Sequence, residues 1–442
     1  MLIHYPTHLF TYPDVPLPEV WTVEQRSGAP ALTTTQVQEQ TRHAVAVLAE
    51  DPRLRSGASV AVGVGSRGLD HLVTVVREVV AALRARGCAP FLVPAMGSHG
   101  GATAEGQVAL LRDYGITPES VGAEIRATME VQQIGWLEGE DAGPFAYHPV
   151  YCERHALSAD AILLVNRIKP HTDFRGEIES GIAKMSVIGL GKRQGAESVH
   201  RYGAYGLREL MPRIARYLAA HLPLVGGVAL IENEMGQTAE IHALRGVEIG
   251  REAEAALLAR ARALCPRLPF QELDVLVVDE MGKNISGAGM DTHVIGRGCM
   301  PSIPEAEWGG PNIRLITVLD VTPESHGNVT APGLADIMPR RILEKADWEA
   351  TFINMRTSGE GGVLRARLPL IVPTPEDCVR TAIATCGRAE PSAVRLARIQ
   401  NTARTRYLEI SRALLEEAQQ DPTLVVAEHP HPLDLHRPVH PA

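Results

Sequence analysis

Four segments of the chain bring together residue types that can do chemistry. The first is Lys169-Pro170-His171-Thr172-Asp173-Phe174-Arg175-Gly176, which follows the apolar run Asp160–Val165. It places three cationic or imidazole side chains and one carboxylate where parallel-sheet proteins put their sites, at a strand's carboxyl end. An imidazole titrates near neutrality, so His171 is a candidate acid or base. Asp173 is expected to orient an imidazole, as neighbouring carboxylates commonly do. The second segment is Gly97-Ser98-His99-Gly100-Gly101, after the run Pro90–Val93. Glycines on both sides leave the His99 ring uncovered, which suits proton transfer. The same glycines are equally compatible with a nest of backbone N–H groups for an anion, or with a plain loop.

The third segment is Ser180-Gly181-Ile182-Ala183-Lys184-Met185, continued by Gly189-Leu190-Gly191-Lys192-Arg193-Gln194-Gly195 and by His200. Its glycines do not fit the phosphate loop of nucleoside triphosphatases. Lys184 stands among apolar residues, and burial frees an amine lone pair for covalent attachment. A lysine and a histidine flanking a Gly-rich, phosphate-loop-like stretch read as a cofactor seat, with Ser180 and Gly181 at its entrance. The fourth is Gly63-Val64-Gly65-Ser66-Arg67-Gly68, which satisfies the dinucleotide pattern GxGxxG. That pattern requires an acid after the next strand to hold a ribose. Val93-Pro94-Ala95-Met96 offers none, so a tight turn presenting Arg67 to a carboxylate is the better reading, with a surface arginine as the alternative. A further strand-end cation, Lys283, lies in Asp279-Glu280-Met281-Gly282-Lys283.

The elements that position these groups follow from periodicity. Residues 1–32 are Pro-rich and read as irregular. A helix is predicted from Thr33 to Glu50, then a βαβ unit: strand Ala58–Val64, a helix capped by Asp70 with apolar residues at Leu72, Val73, Val76, Val79, Val80 and Leu83, and strand Pro90–Val93. Strands at Asp160–Val165 and Val225–Glu232, a Gly-rich segment over Gly176–Gly195, and helices at Ala196–Leu222 and Glu252–Leu264 complete a first α/β domain, 33–268. A second, 269–427, is predicted from strands at Leu273–Val278, Leu315–Leu319 and near Arg395. Its helices are predicted near Leu334–Lys345, from Pro375, and over Thr405–Gln419. Residues 428–442, rich in His and Pro, read as a flexible tail. Alternating strands and helices imply an α/β fold of two domains with mostly parallel sheets and a site in the cleft between them.

Composition bounds the partners. The chain has 442 residues, 45% apolar and 21% charged, with aromatics at only 4%, so Val, Leu, Ile and Ala must build the cores. A formal charge of −9 without any basic block is a poor match for nucleic acid. No apolar run is long enough for a membrane span and no leader pattern is present, so a cytoplasmic protein is expected. The six cysteines form no CxxC pair and read as reduced thiols, not staples or a metal cage. The histidines of the tail suggest a metal-binding tract, but a solvated tail explains them as well.

Taken in order, these pieces resemble the nickel-dependent lactate racemase family across roughly residues 55–290. The strongest part is Ser180-Gly181-Ile182-Ala183-Lys184, similar to the family's SGGRK segment. The resemblance implies that Lys184 carries a nickel-pincer nucleotide through a thioamide and that His200 ligates nickel. It makes His99 and His171 the two catalytic histidines and Arg67 and Lys283 the substrate-binding cations. The implied reaction removes the C2 hydrogen of a 2-hydroxy acid as hydride and the hydroxyl proton to one histidine, then returns both from the opposite side. The segment between His171 and Ser180 is longer than the family's and carries Asp173, Arg175, Glu177 and Glu179. Ala183 stands where the family has arginine, and the acid expected before Arg67 is missing. These departures leave a larger or more polar hydroxy acid, such as a sugar acid or dicarboxylate, as open as lactate.

The expected function is therefore racemisation or epimerisation of a small anionic 2-hydroxy acid, by an isomerase that depends on separate cofactor-synthesis enzymes. Two alternatives stay open: an oxidoreductase acting on a hydroxy acid, and a non-catalytic carrier of the cofactor. A carrier needs Lys184 and His200 but has no use for His99 and His171. The oligomeric state is not legible.

Overall fold

The computed structural model describes residues 6–439 other than 27, 66, 67, 301, 305–307, 331 and 358. After β1 (Glu19–Gln25) come β2 (Ser59–Val64), β3 (Ala89–Pro94), β4 (Val131–Leu137), β5 (His148–Glu153), β6 (Ala161–Arg167), β7 (Leu224–Glu232) and β8 (Thr238–Arg245). The chain continues through β9 (Glu272–Met281), β10 (Asn312–Val321), β11 (Ile337–Pro339), β12 (Leu370–Val372), β13 (Leu396–Asn401), β14 (Arg404–Ser411), β15 (Leu424–Val426) and β16 (His431–Pro432). The molecule is an α/β protein of two compact units: Ala29–Cys265, and the segment ending at Gly28 together with Pro266 onward.

The continuous unit holds a sheet of order β3-β2-β6-β7-β8. Its first four strands are parallel and β8 returns antiparallel to β7. Val60, Val62 and Val64 are fully buried, as are Ile162, Leu163 and Leu164, because helices cover both faces. The helix Thr34–Leu48 starts at a capping box made by Thr33 and Gln36. The helix Leu72–Ala85 buries Leu72, Val75, Val76, Val79, Val80 and Leu83 on one face, each contributing roughly 1.5–3 kcal/mol. Asp70 does not cap it. Its Oδ2 accepts from the Thr238 amide at 2.8 Å, and His71, at φ 59°, takes the capping position. The chain leaves β2 toward β3 on one side and leaves β6 toward β7 on the other. The strand order therefore reverses between neighbours β2 and β6, the place where open α/β sheets leave a crevice at the carboxyl ends.

The other unit holds a sheet of order β12-β11-β10-β9-β13-β14-β1-β15, with β16 on β1. It is parallel from β12 to β13 and antiparallel beyond. Three expectations are corrected here. The N-terminal segment is not irregular throughout, because Val20 and Val23 of β1 are fully buried against β14. The helix expected over Thr405–Gln419 is strand β14 followed by the short helix Leu415–Gln420, since β14 pairs antiparallel with both β13 and β1. The tail is docked: β16 pairs with β1, Leu433 and Val439 are buried, and the Thr22 hydroxyl lies 3.0 Å from His431 Nε2. Fully buried Arg398 fixes it further, donating to the carbonyls of Asp434 and Arg437 at 2.9 Å each.

Candidate active site

The carboxyl ends of β2, β3 and β6 are all covered by one segment, Gly181–Gly189. At the end of β2, a Cβ on Gly65 would stand 2.8 Å from Met185 Cε and 3.0 Å from Asn166 Oδ1, so only glycine lets this segment approach. At the end of β6, Asn166 Nδ2 donates to the Gly181 carbonyl at 2.9 Å. Beyond β3, the Gly97 amide donates to the Gly189 carbonyl at 3.2 Å, and a Cβ on Gly189 would meet Ala95 O at 2.7 Å. The segment is not the open Gly-rich loop expected. It is helical at Ile182–Lys184, widens to a π-turn over Met185–Gly189, and resumes as the helix Lys192–His200. The glycines serve close packing on the strand ends. The helix expected over Ala196–Leu222 is broken by a second π-turn at Gly206–Leu210 before Met211–His221. Single π-turns inside helices frequently accompany functional sites.

Lys184 sits at the end of the first of these helical turns, and a buried acid holds that turn. Glu254, 1% exposed on the helix Glu252–Leu264, accepts the Ala183 amide at 2.9 Å through Oε1 and the Gly250 amide at 2.8 Å through Oε2. The Ile182 amide also points to this carboxylate. Glu254 thus acts as a cap brought from elsewhere in the chain, satisfying donors that a helix start leaves open. Burial holds its carboxyl above the ordinary glutamate range, against the pull of those amides. Gly181 is needed beside it, since a Cβ there would come 2.4 Å from Glu254 Oε1. Ser180 contributes its carbonyl, which accepts from the Lys169 amide at 3.0 Å.

His171 is half-buried and tightly oriented. Its amide donates to Glu179 Oε2 at 2.6 Å, and Arg175 donates to its carbonyl at 3.1 Å. Glu179 is buried and closes the loop by accepting the Gly176 amide at 3.0 Å and Arg262 at 2.6 Å. The ring lies 4.6 Å from the Phe174 ring, centroid to centroid. Its Nδ1 accepts the Asp173 amide at 3.0 Å. The Asp173 backbone thus orients the imidazole. A neutral His171 held this way carries its hydrogen on Nε2.

The structure brings His171, Lys184 and His200 within electrostatic reach of one another. Burial pushes the His171 pKa well below the ordinary value, and the Lys184 charge pushes it further, with smaller pushes from His200 and Lys169. His200, at the end of the helix Lys192–His200, is pushed down to about 4, first by surrounding protein and then by Lys184. The His200 ring keeps solvent-accessible surface. The Asp173 carboxylate opposes both shifts. Both imidazoles are therefore neutral at physiological pH, the form that ligates metal.

His99 reaches this region through its loop, which is bonded to Gly189; the side chain is exposed. Arg67 lies outside the described residues. Lys283 belongs to the other unit, where its ammonium donates to the Gly287 carbonyl at 2.7 Å and its amide to Ser325 Oγ at 3.0 Å. Among the described residues no group of three or more His, Cys, Asp or Glu side chains forms a metal cage. Glu254, Glu179, Asn166, Gln107 and Lys192 all shape the site and carry no motif that would have singled them out.

The class these features define is an α/β protein with imidazoles and a lysine gathered at the switch point of a parallel sheet. No family model and no curated protein matches the chain. A crystal structure of a Thermotoga maritima protein from a structural-genomics programme is similar: 14% identical, TM-score 0.52, covering 85% of this chain and 98% of that one. At that identity the likeness shows the fold alone. Among the described residues no helix is long and apolar enough to cross a membrane.

Proposed function

We propose that the chain is a racemase or epimerase of a small anionic 2-hydroxy acid, with a nickel-pincer nucleotide carried on Lys184 and ligated by His200. The observation that carries the reading is the grouping of Lys184, His171 and His200 over the sheet's switch point. The donor set fits such a group. In this reading His200 would offer the metal a neutral imidazole and the organic group would offer the remaining, softer donors, a combination that suits nickel. When bound, the group supplies a ring that accepts the C2 hydrogen as hydride.

The chain's own residues do the rest. Lys184 supplies the attachment nitrogen, and acylation removes its charge. Both imidazoles then become more basic, which moves His171 toward the pH at which it can exchange a proton. His99 takes or returns the hydroxyl proton from one side. On the other side His171 presents Nε2–H as a donor. To accept a proton there it must exchange tautomer and release the Asp173 amide, which costs roughly 0.5–1.5 kcal/mol. Arg67 and Lys283 are the proposed carboxylate-binding cations, each of a kind typically worth about 2–4 kcal/mol in a barrier. The polar 171–179 loop favours a sugar acid or dicarboxylate over lactate.

The occupied Nδ1 of His171 supports a second reading, net oxidation of the hydroxy acid with His99 as the base and a separate two-electron acceptor, supplied in the assay, taking the hydride onward. The test is co-production with cofactor-synthesis enzymes, intact-mass analysis, and assay on both enantiomers of several 2-hydroxy acids. A mass increment on the wild type, lost in Lys184→Ala together with activity, is expected. Active enzyme with an unmodified Lys184 overturns the proposal. Accumulation of 2-oxo acid without the opposite enantiomer selects the oxidation reading.

A further inference from the structure

We infer that Lys192 and Gln107 form a brace that holds the His99 loop in register with the Lys184 segment; this rests on His99 being a proton-transfer group. Lys192 is fully buried, at the start of the same helix that ends at His200. Its backbone is left-handed, φ 52°, which for a residue with a side chain costs on the order of 1 kcal/mol and persists only where surroundings enforce it. Its ammonium donates to the carbonyl of Pro94, the last residue of β3, and to Gln107 Oε1 at 2.8 Å.

Gln107 is itself fully buried, on the helix Ala104–Asp113. An ammonium can only donate, so the amide oxygen must face Lys192 and the amide nitrogen must face the other way. That nitrogen donates to the carbonyls of Gly97 at 2.9 Å and His99 at 3.3 Å. One amide thus grips both sides of Ser98. The compensating charge is nearby: burial pushes Lys192 down to about 8, while buried Glu153 and then Cys152 pull it back up. A buried ammonium and a buried amide are costly beside a hydrocarbon pair, so their use here answers a need for direction more than for stability. The helix that bears His200 is in this way tied to the loop that bears His99.

Gln107→Glu separates the two halves of the brace. It keeps an acceptor for Lys192, and so the buried charge stays paired, but it turns a repelling oxygen toward the Gly97 and His99 carbonyls. The amides of Gly97, His99 and Ala102 are expected to exchange about tenfold faster, a loss equivalent to one or two hydrogen bonds, with β6 and β7 unchanged. Turnover is expected to fall about tenfold in the direction served by His99, with KM within about twofold, as for a group misplaced only at the transition state. Lys192→Met should loosen the same loop and also lower overall stability. Unchanged loop exchange in Gln107→Glu overturns the brace. A loosened loop with equal losses in both directions overturns its role in placing His99. Wild-type protein without turnover on any 2-hydroxy acid removes the role of His99, and the exchange measurement alone then decides whether Lys192 holds the loop.

Discussion

Replacing Glu254 with alanine should dismantle the seat of Lys184 without touching Lys184. The carboxylate, 1% exposed, accepts the amides of Ala183 and Gly250 and attracts that of Ile182. Each amide bond to a charged acceptor contributes roughly 1.5–3 kcal/mol, so three lost bonds amount to roughly 4.5–9. Removing a buried carboxylate returns several kcal/mol of desolvation cost. The difference leaves a net destabilisation of about 2–4 kcal/mol. With an m-value of about 3 kcal/mol/M, the urea midpoint of the Ala29–Cys265 unit falls by about 1 M. Glu254→Gln retains one acceptor and should fall about half as far. It also removes a titration. Burial raises the folded-state pKa of Glu254, so the folded chain binds that proton more tightly than the unfolded chain does. The contribution is fully present below the unfolded value and is lost as pH rises through the folded one. Glu254→Gln should lose this downward slope. Unfolding midpoints within about 0.2 M of wild type, with amide protection at Ala183 and Gly250 intact, would refute the reasoning.

Two further outcomes are expected. Arg398→Ala leaves the half-buried carboxylate of Asp279 and the buried one of Glu409 without this partner and frees the carbonyls of Asp434 and Arg437. A loss of about 3–5 kcal/mol and early proteolysis after residue 430 should follow; a tail as resistant as in the wild type would contradict the docking described. His99→Ala and His171→Ala should slow the two directions of reaction unequally, by about 100-fold or more in the direction each serves, measured with single enantiomers. Equal and small losses would argue against two opposed imidazoles.

The legible part of the fold was the part whose burial leaves a one-dimensional trace. β2, β6, β7 and β9 are covered on both faces and stand out as apolar runs. β1 and β14 mix Glu, Gln and Arg with apolar residues, so periodicity alone did not separate them from loop or helix. The tail read as flexible because two of its anchors are backbone carbonyls, which composition cannot register. In the site, His171, Lys184 and His200 were legible because each stands next to an apolar strand or among glycines. Their supports were not. Glu254 meets Ala183 across 71 positions and Lys192 meets Gln107 across 85, and no local pattern marks either. The bond from the Asp173 amide to His171 Nδ1 was likewise invisible, because a backbone donor leaves no side-chain pattern.

One ammonium near two imidazoles disfavours a further charge on either ring. In the unloaded protein that ammonium is Lys184, so its charge is the reason, after burial, that His171 and His200 are neutral. Lys184→Met removes the charge and keeps the length of the side chain. Both imidazoles should then titrate at higher pH: His200 above its present value of about 4 yet below 6.5, because burial, the larger cause, remains. Asp173→Asn should act oppositely, since its carboxylate is the charge that raises both. The two variants can be read by the ring proton shifts of the two histidines against pH, without cofactor or substrate. If His200 still titrates near 4 in Lys184→Met, burial alone sets it, Lys184 is not close enough to matter, and the shared site loses the contact on which it was built.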